Sequence, residues 1–235
     1  MSNERIGNNF SKEGTLYQVE YALEAAKKGM SCVAVGSTSC MVMAASKRLP
    51  EKLMDPDYIS SFVSILPGVV AVLSGYLMDV QRTTTILSET AVDLLHDLGY
   101  VPTPDILARE IADQWQLQTQ EDSRRLPAVF LAVVGYDKGV PMIYYTDTSG
   151  TLLPYKAVAF GEGGTLMMKK LEKIYTPQQT ETEAIHTALI SLSEALGADY
   201  LATNVELCIF TPDGKVKRST TDEIDAFLVD IAEKI

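Results

Sequence analysis

The sequence predicts an α+β fold in which helices cover two packed β-sheets. Blocks of short apolar strands alternate with pairs of helical segments, an order that favours helix layers on two sheets over a parallel sheet of alternating strands and helices. The apolar run at residues 129–134 is too short for most helices and predicts a central strand covered on both sides. A length of 235 residues fits one domain, predicted to span 1–235, with enough chain to bury a core.

Composition narrows the possible functions. Contents of 46% hydrophobic and 22% charged residues are ordinary for a globular protein, and the net charge of −11 argues against nucleic-acid and anionic-membrane partners. No apolar run approaches the roughly 20 residues that span a bilayer, and residues 1–9 lack the apolar core of a signal peptide. Three cysteines without metal-like spacing predict reduced thiols, no metal site, and a location in cytoplasm and nucleus.

The first predicted element is a helix over residues 15–29, preceded by a polar segment, residues 1–9, that we expect to be mobile. Thr15 and Gln18 are spaced as a capping box, and Gly29 stands where a C-terminal cap belongs. One apolar stripe is formed by Leu16, Val19, Leu23 and Ala26. Other faces carry Tyr17, Tyr21 and Ala22. Apolar residues therefore cover more of the helix surface than one buried face requires. We expect the helix to pack against something beyond its own domain.

Strand pairs and two helices are predicted next. Residues 32–36 and 41–45 read as a hairpin around a polar turn, and residues 58–66 and 69–73 as a second pair turning at Pro67-Gly68. A long helix opens at Ser74-Gly75 and ends at Gly99. Thr103 is the expected cap of the next helix, with Pro104 at its first position. The buried face of that helix is Leu107, Ile111 and Trp115.

The second half repeats this arrangement. Residues 142–145 and 155–160 are predicted strands separated by the turn at 147–150. Helices are predicted from Gly163 to Lys173 and from a capping box of Thr180 and Glu183 to Gly197. A strand follows at residues 205–209. Thr220 and Glu223 cap a final helix with an inward face of Ile224, Phe227, Leu228 and Ile231.

Polar clusters that could suggest catalysis have plainer interpretations. His96 and His186 follow inward-facing residues on helices, which favours structural roles. The charges from Glu121 to Arg125 are typical of a surface cluster. Residues 161–164 lack the Lys-Ser/Thr of a phosphate loop, so a tight strand-to-helix turn is expected.

One family resemblance rests on residues 10–25, FSKEGTLYQVEYALEA. This stretch resembles the N-terminal signature of proteasome alpha subunits, with Lys12 in place of a proline and Thr15 in place of an arginine. Further segments resemble the same family at residues 147–150, 156–159 and 171–173. The pentapeptide at residues 49–53, LPEKL, resembles the alpha type 6 subunit.

The resemblance implies a four-layer αββα sandwich of the N-terminal-nucleophile hydrolase type with an extra N-terminal helix. It implies a non-catalytic 20S outer-ring subunit without cofactors. The implied partners are other alpha and beta subunits in a four-ring barrel, regulatory caps, and unfolded protein substrates in transit. The implied gate residues are Asn3, Glu4, Arg5 and Phe10. The implied ring-interface residues are Leu16, Tyr17, Val19, Glu20, Tyr21 and Leu23.

A catalytically active threonine peptidase is the main alternative. Such an enzyme uses an N-terminal threonine with its own amine as base and a nearby lysine. Related beta subunits carry that threonine where this chain has Met30, and the lysine maps near Ser61, within a segment that has no lysine between Lys52 and Lys138. Ser31 could substitute only if processing cut after Met30, and the lysine would still be absent. A stand-alone binding scaffold is the third possibility.

The lysine with which alpha subunits receive a cap's terminal carboxylate also maps onto Ser61. Serine carries no positive charge, so we expect a degenerate cap-binding pocket there that binds cap tails weakly or not at all.

Overall fold

The computed structural model describes residues 10–47, 53–55, 58–121, 124–197 and 200–234. Two five-stranded antiparallel sheets pack face to face. The first sheet has the order β10-β9-β2-β1-β8 and the second β3-β4-β5-β6-β7. The strands are β1 (Cys32–Gly36), β2 (Met41–Ser46), β3 (Phe62–Leu66), β4 (Val69–Gly75), β5 (Val129–Asp137), β6 (Val140–Thr146), β7 (Leu152–Tyr155), β8 (Ala157–Phe160), β9 (Val205–Phe210) and β10 (Val216–Arg218).

Helices cover the outer faces of both sheets. They are α1 (Tyr17–Ala26), α2 (Leu77–Leu98), α3 (Pro104–Gln118), α4 (Gly164–Ile174), α5 (Glu181–Leu196) and α6 (Thr221–Lys234). The pair α2 and α3 packs on the second sheet, while α4, α5 and α6 pack on the first. α1 stands apart from both layers, against β4 and β5. The predicted αββα sandwich with an extra N-terminal helix is confirmed.

Strand β1 shows why the central strands are apolar throughout. Cys32 and Ala34 face the core between the sheets, whereas Val33 and Val35 face the core beneath the helices. Successive side chains of a strand point to opposite faces, so a strand covered on both sides needs apolar residues at every position. β5 follows the same rule, as predicted for residues 129–134.

The strand predicted over residues 155–160 is in fact two strands in different sheets. Tyr155 of β7 pairs with Ile143 in the second sheet, whereas Ala157 of β8 pairs with Val35 in the first. Lys156 lies between them, and its carbonyl accepts the Gly36 N–H at 2.9 Å. The apolar pattern continues through this transfer, so periodicity alone could not show it. The short edge strand β10 was also not predicted.

Two of the predicted capping boxes are present. Thr180 and Glu183 exchange hydrogen bonds at the start of α5, and Thr220 and Glu223 do the same before α6. Both pairs satisfy backbone N–H groups that a helix start leaves free. Pro104 is the first residue of α3, although the Thr103 hydroxyl donates to the Asp105 carboxylate instead of capping the backbone.

The capping box predicted at Thr15 and Gln18 is wrong. α1 begins at Tyr17 after Leu16, which makes no side-chain cap, and the Thr15 N–H donates to Ser11 Oγ. The helix is therefore shorter than the predicted 15–29 and ends at Ala26. Gly29 does not cap it, since residues 27–29 continue as a turn.

Lys138 offers a test of the turn between β5 and β6. It adopts φ of +49° beside Gly139 at +81°, a two-residue turn in which asparagine is tolerated better than lysine. We expect Lys138→Asn to raise the free energy of unfolding by about 0.5–1 kcal/mol, measured by urea denaturation. Lys169→Asn, the same exchange within α4, should not stabilise the protein. Equal effects of the two substitutions would refute this explanation.

Candidate functional site

The candidate site lies where β1 begins, at the end of the sandwich that we call the closed end, formed by residues 29–31 with the ends of β2, β4 and β8. Helix α1 covers it. Ala22 and Ala26 are buried, and Leu23 packs against the core between the sheets. The chain then runs from the helix directly across the closed end into β1.

Hydrogen bonds from both sheets hold this crossing segment. The Glu162 N–H, just after β8, donates to the Gly29 carbonyl at 3.0 Å. The Ser74 hydroxyl, on β4, donates to the Met30 carbonyl. Both carbonyls are therefore engaged by groups from opposite sheets, and the segment joins the two sheets at this end.

Ser31 continues the same network. Its N–H donates to Ser46 Oγ at 2.9 Å, at the end of β2, and its own Oγ donates to the Glu162 carbonyl at 2.7 Å. This hydroxyl therefore donates its proton to a backbone carbonyl. The idea that Ser31 could replace the missing nucleophile gains no support from this geometry.

Glycines allow the backbones to approach at the closed end. A Cβ on Gly29 would lie 2.2 Å from the Gly75 nitrogen, and a Cβ on Gly161 would lie 2.0 Å from the Met30 carbonyl oxygen. Gly161 also has φ of +91°, a backbone conformation that residues with a side chain rarely adopt. The role of Gly29 is thus close packing, a requirement that its neighbours in sequence do not reveal.

The structure brings together the two residues that the sequence placed in catalytic positions. Ser61 Oγ lies 3.5 Å from Met30 Sδ, and Ser61 is only 4% exposed. A thioether cannot attack a carbonyl, and a serine cannot supply the charge of a lysine. Nearby, burial raises the pKa of the Cys32 thiol to about 12, so this cysteine is protonated at neutral pH and not a nucleophile. The contact at this position pairs a thioether with a hydroxyl.

Glu206 is a nearby carboxylate that the sequence did not single out. It accepts hydrogen bonds from Ser60 Oγ at 2.7 Å and the Ser61 N–H at 3.3 Å, and Arg218 lies 3.4 Å away. Arg218 also donates to the Phe62 carbonyl. These contacts tie β9 and β10 of the first sheet to the start of β3 in the second, which indicates a structural role.

Asp79 and Arg125 form an ion pair that was not predicted from the sequence. The guanidinium binds both Asp79 oxygens at 2.6 and 2.5 Å, and Asp79 also accepts the Ala128 N–H at 2.9 Å. Burial would raise the pKa of Asp79, but hydrogen bonds from Arg125 and Ala128 outweigh it and hold the pKa below its usual value. The predicted surface position of Arg125 fits its 64% exposed side chain, but its buried partner Asp79 was not predicted. Arg124 also fits the predicted surface cluster, since it lies 3.7 Å from Glu121.

The predicted gate and interface residues that the structure describes lie on α1 and in the turn before it, some exposed and some half-buried. Phe10 is 72% exposed, and Tyr17 and Tyr21 are exposed with stacked rings 6.2 Å apart. Glu20 is exposed, while Leu16, Val19 and Leu23 are half-buried. Asn3, Glu4 and Arg5 lie outside the described residues. The interface and gate assignments stay predictions, as does a cap-binding role for Ser61, whose side chain faces Met30.

The remaining polar candidates have structural positions. His186 Nε2 lies 3.0 Å from Asp230 Oδ2, which links α5 to α6, and His96 is exposed beside Asp97. Residues 161–164 form the expected turn into α4. Within the described ranges, no group of His, Cys, Asp or Glu side chains could hold a metal ion. In the same ranges, no helix has the length and apolar content to cross a membrane.

A substitution at Gly161 tests how closely its backbone packs against that of Met30. We expect Gly161→Ala to lower the free energy of unfolding by about 3 kcal/mol or more, because the added methyl collides with the Met30 backbone in a positive-φ conformation. Gly68→Ala is the matched control. Gly68 has φ of +86° with open space where the methyl group would lie, so only the backbone cost of about 1 kcal/mol applies. Denaturant unfolding of both variants measures the difference, and similar losses would argue against a steric constraint.

Substitutions of Arg125 and of its neighbour Arg124 test the ion pair with Asp79. Arg125→Gln should cost about 1–2 kcal/mol of unfolding free energy at pH 7, discounted because Arg125 is 64% exposed, whereas Arg124→Gln should cost less than about 0.5 kcal/mol. The lowered pKa of Asp79 means that the tie contributes fully above pH 3.8 and is lost as pH falls below it. The difference in unfolding free energy between wild type and Arg125→Gln should therefore become smaller in acid, as measured by urea denaturation at several pH values. A difference that does not change with pH would contradict this assignment.

Comparison with known proteins places this geometry in context. A family model described as proteasome subunit matches residues 26–210. A protein of Methanococcus maripaludis named proteasome subunit alpha is 32% identical, with 96% of this chain and 87% of that protein covered. One of Neurospora crassa named probable proteasome subunit alpha type-2 is 34% identical, covering 86% and 82%. One of Schizosaccharomyces pombe named probable proteasome subunit alpha type-1 is 29% identical, covering 96% and 94%.

Proposed function

We propose that this chain, which belongs to the proteasome alpha-subunit family, is a non-catalytic subunit of the outer ring of a 20S core particle. The observation that carries the proposal is the closed end of the sandwich. Met30, which the resemblance aligns with the nucleophile, has its Sδ 3.5 Å from Ser61 Oγ, and its carbonyl accepts a hydrogen bond from the Ser74 hydroxyl.

Activation of such a nucleophile requires that the chain be cut before it, so that the free amine can act as base. Here the preceding peptide group is packed between glycine backbones, and the carbonyls of Gly29 and Met30 are both hydrogen-bonded. Cutting there would separate α1 from β1. The arrangement favours a permanent helix at this position over a processed enzyme.

For the outer side of α1 we propose contact with neighbouring alpha subunits, with the beta ring below. The exposed, stacked pair of Tyr17 and Tyr21 supports this proposal, because large exposed apolar surfaces mark interaction sites. The segment before the helix, including Asn3, Glu4, Arg5 and Phe10, would gate the entry of unfolded proteins. Regulatory caps would dock on the same ring face, with little help from Ser61.

The position within the ring and the location in the cell are further proposals. The pentapeptide at residues 49–53 supports the alpha type 6 position. Of the relatives named above, two are called type-1 and type-2, and the third carries no type number. The reduced-thiol composition supports cytoplasm and nucleus.

The proposal predicts that the native chain is recovered only in very large particles and that a threonine-directed covalent inhibitor leaves it unlabelled. Native mass measurement of particles purified through a tag on this chain gives the first result. Labelling of the same particles gives the second, with their beta subunits as the internal positive control.

Met30→Thr provides a matched variant, which should also stay unlabelled because Ser61 supplies no lysine and the preceding chain remains in place. A labelled chain would favour the threonine-peptidase alternative. A stable monomer or small oligomer would favour a stand-alone scaffold.

A further inference from the structure

Helix α6, the last helix of the chain, rests on the sandwich through a small apolar contact. Of its described residues, Ile224 and Ile231 are buried, at 2% and 7% exposed, and Phe227 and Leu228 pack partly against the same core. The neighbouring helix α5 contributes seven buried residues. A helix with few buried apolar contacts is the kind of element that opens locally while the rest of a protein stays folded. Polar contacts therefore contribute a larger share of the attachment of α6.

The two ends of α6 are held by different chemistry. At its start, Thr220 and Glu223 form the capping box, and Lys217 Nζ lies 2.7 Å from Glu223 Oε1. Lysine and glutamate keep their charges across neutral pH. Towards its end, Asp230 Oδ2 lies 3.0 Å from Nε2 of His186 on α5. Histidine changes its charge between about pH 5 and 8, so this second contact varies with pH in that range.

Two carboxylates lie beside the imidazole of His186. Asp230 approaches it from α6, and Glu183 precedes it by three residues on α5, a spacing that makes two side chains neighbours on a helix surface. Hydrogen bonds from Thr180 lower the pKa of Glu183, and the nearby His186 lowers it further, so Glu183 is ionised at neutral pH. The imidazole therefore lies close to negative charge contributed by both helices.

Burial opposes a charge on His186, whereas the two carboxylates favour it. The His186 side chain is 14% exposed and that of Asp230 is 41% exposed, so water reaches the pair from the Asp230 side and limits the cost of desolvation. An opposite charge within about 4–6 Å favours the charged form of a group, and the Asp230 oxygen lies closer than that. The balance favours a protonated His186 in the folded chain.

We propose that His186 makes the attachment of the C-terminal half of α6 sensitive to pH. The protonated imidazole binds Asp230 and holds this half of the helix on α5, and loss of the proton to solvent loosens it. Because the folded chain binds this proton more tightly, the stabilisation is complete below the usual histidine pKa of about 6.5 and is lost as pH rises through the higher folded-state value. The capping box keeps the start of the helix in place.

The test uses the full-length chain, whose two histidines, His96 and His186, give two imidazole signals in an NMR titration. His186 should titrate about one pH unit or more higher in wild type than in Asp230→Asn, a tenfold difference in proton affinity. Amide hydrogen exchange at Leu228 and Ile231, corrected for the intrinsic effect of pH, should be about five- to ten-fold faster at pH 8.5 than at pH 5.5. Asp230→Asn and His186→Gln should both lack this pH dependence.

His96→Gln is the matched control, because His96 lies 3.4 Å from Asp97 with both side chains largely exposed, and it should leave exchange in α6 unchanged. Equal titration midpoints of His186 in wild type and Asp230→Asn would overturn the ion pair. A higher midpoint in wild type, together with exchange in α6 that does not depend on pH, would overturn the effect on the helix. Should His186→Gln fail to fold, Asp230→Asn still gives both measurements, since asparagine keeps the shape of this partly exposed side chain.

Discussion

The rest of the structure depends on one backbone crossing, in which Gly29 and Met30 pass between Gly75 and Gly161. The crossing brings hydrogen bonds from β4 and from the loop after β8 onto adjacent carbonyls, so it fastens the two sheets at the end where β1 begins. It also fixes where α1 can lie, because the helix ends at Ala26, shortly before the crossing segment. A side chain at either Gly29 or Gly161 would force the sheets apart.

The same crossing bears on the proposal that this chain is not catalytic. An N-terminal nucleophile needs a free amine, a hydroxyl and a neighbouring cation. Here the residue that the resemblance aligns with the nucleophile carries a thioether, and the buried Ser61 stands beside it where the cation would lie. Under the proposed function, the hydrogen-bonded crossing holds α1 and the turn before it at this end of the sandwich.

Ionic groups in this acidic protein also serve the architecture. Asp79 reaches across to Arg125 and the Ala128 N–H, which fixes the loop leading into β5 against the start of α2. Glu206 joins β9 to the start of β3 through Ser60 and Ser61. The hydrogen bonds from Arg125 and Ala128 lower the pKa of Asp79, so loss of Arg125 would leave its buried charge without its main partner. Each of these contacts joins elements that are distant in sequence.

By itself the sequence determined what local spacing encodes. The strand at residues 129–134, the capping boxes of α5 and α6 and the Pro104 helix start were predictable, because each depends on neighbours within a few positions. The tertiary structure alone decided the contact of Met30 with Ser61, the partner of Arg125 and the transfer between sheets at Lys156. The first two join residues 31 and 46 positions apart. Gly29 resembled a helix cap until its distant neighbours Ser74 and Gly75 were known. Periodicity reports which face of an element is buried, but not which distant backbone it meets.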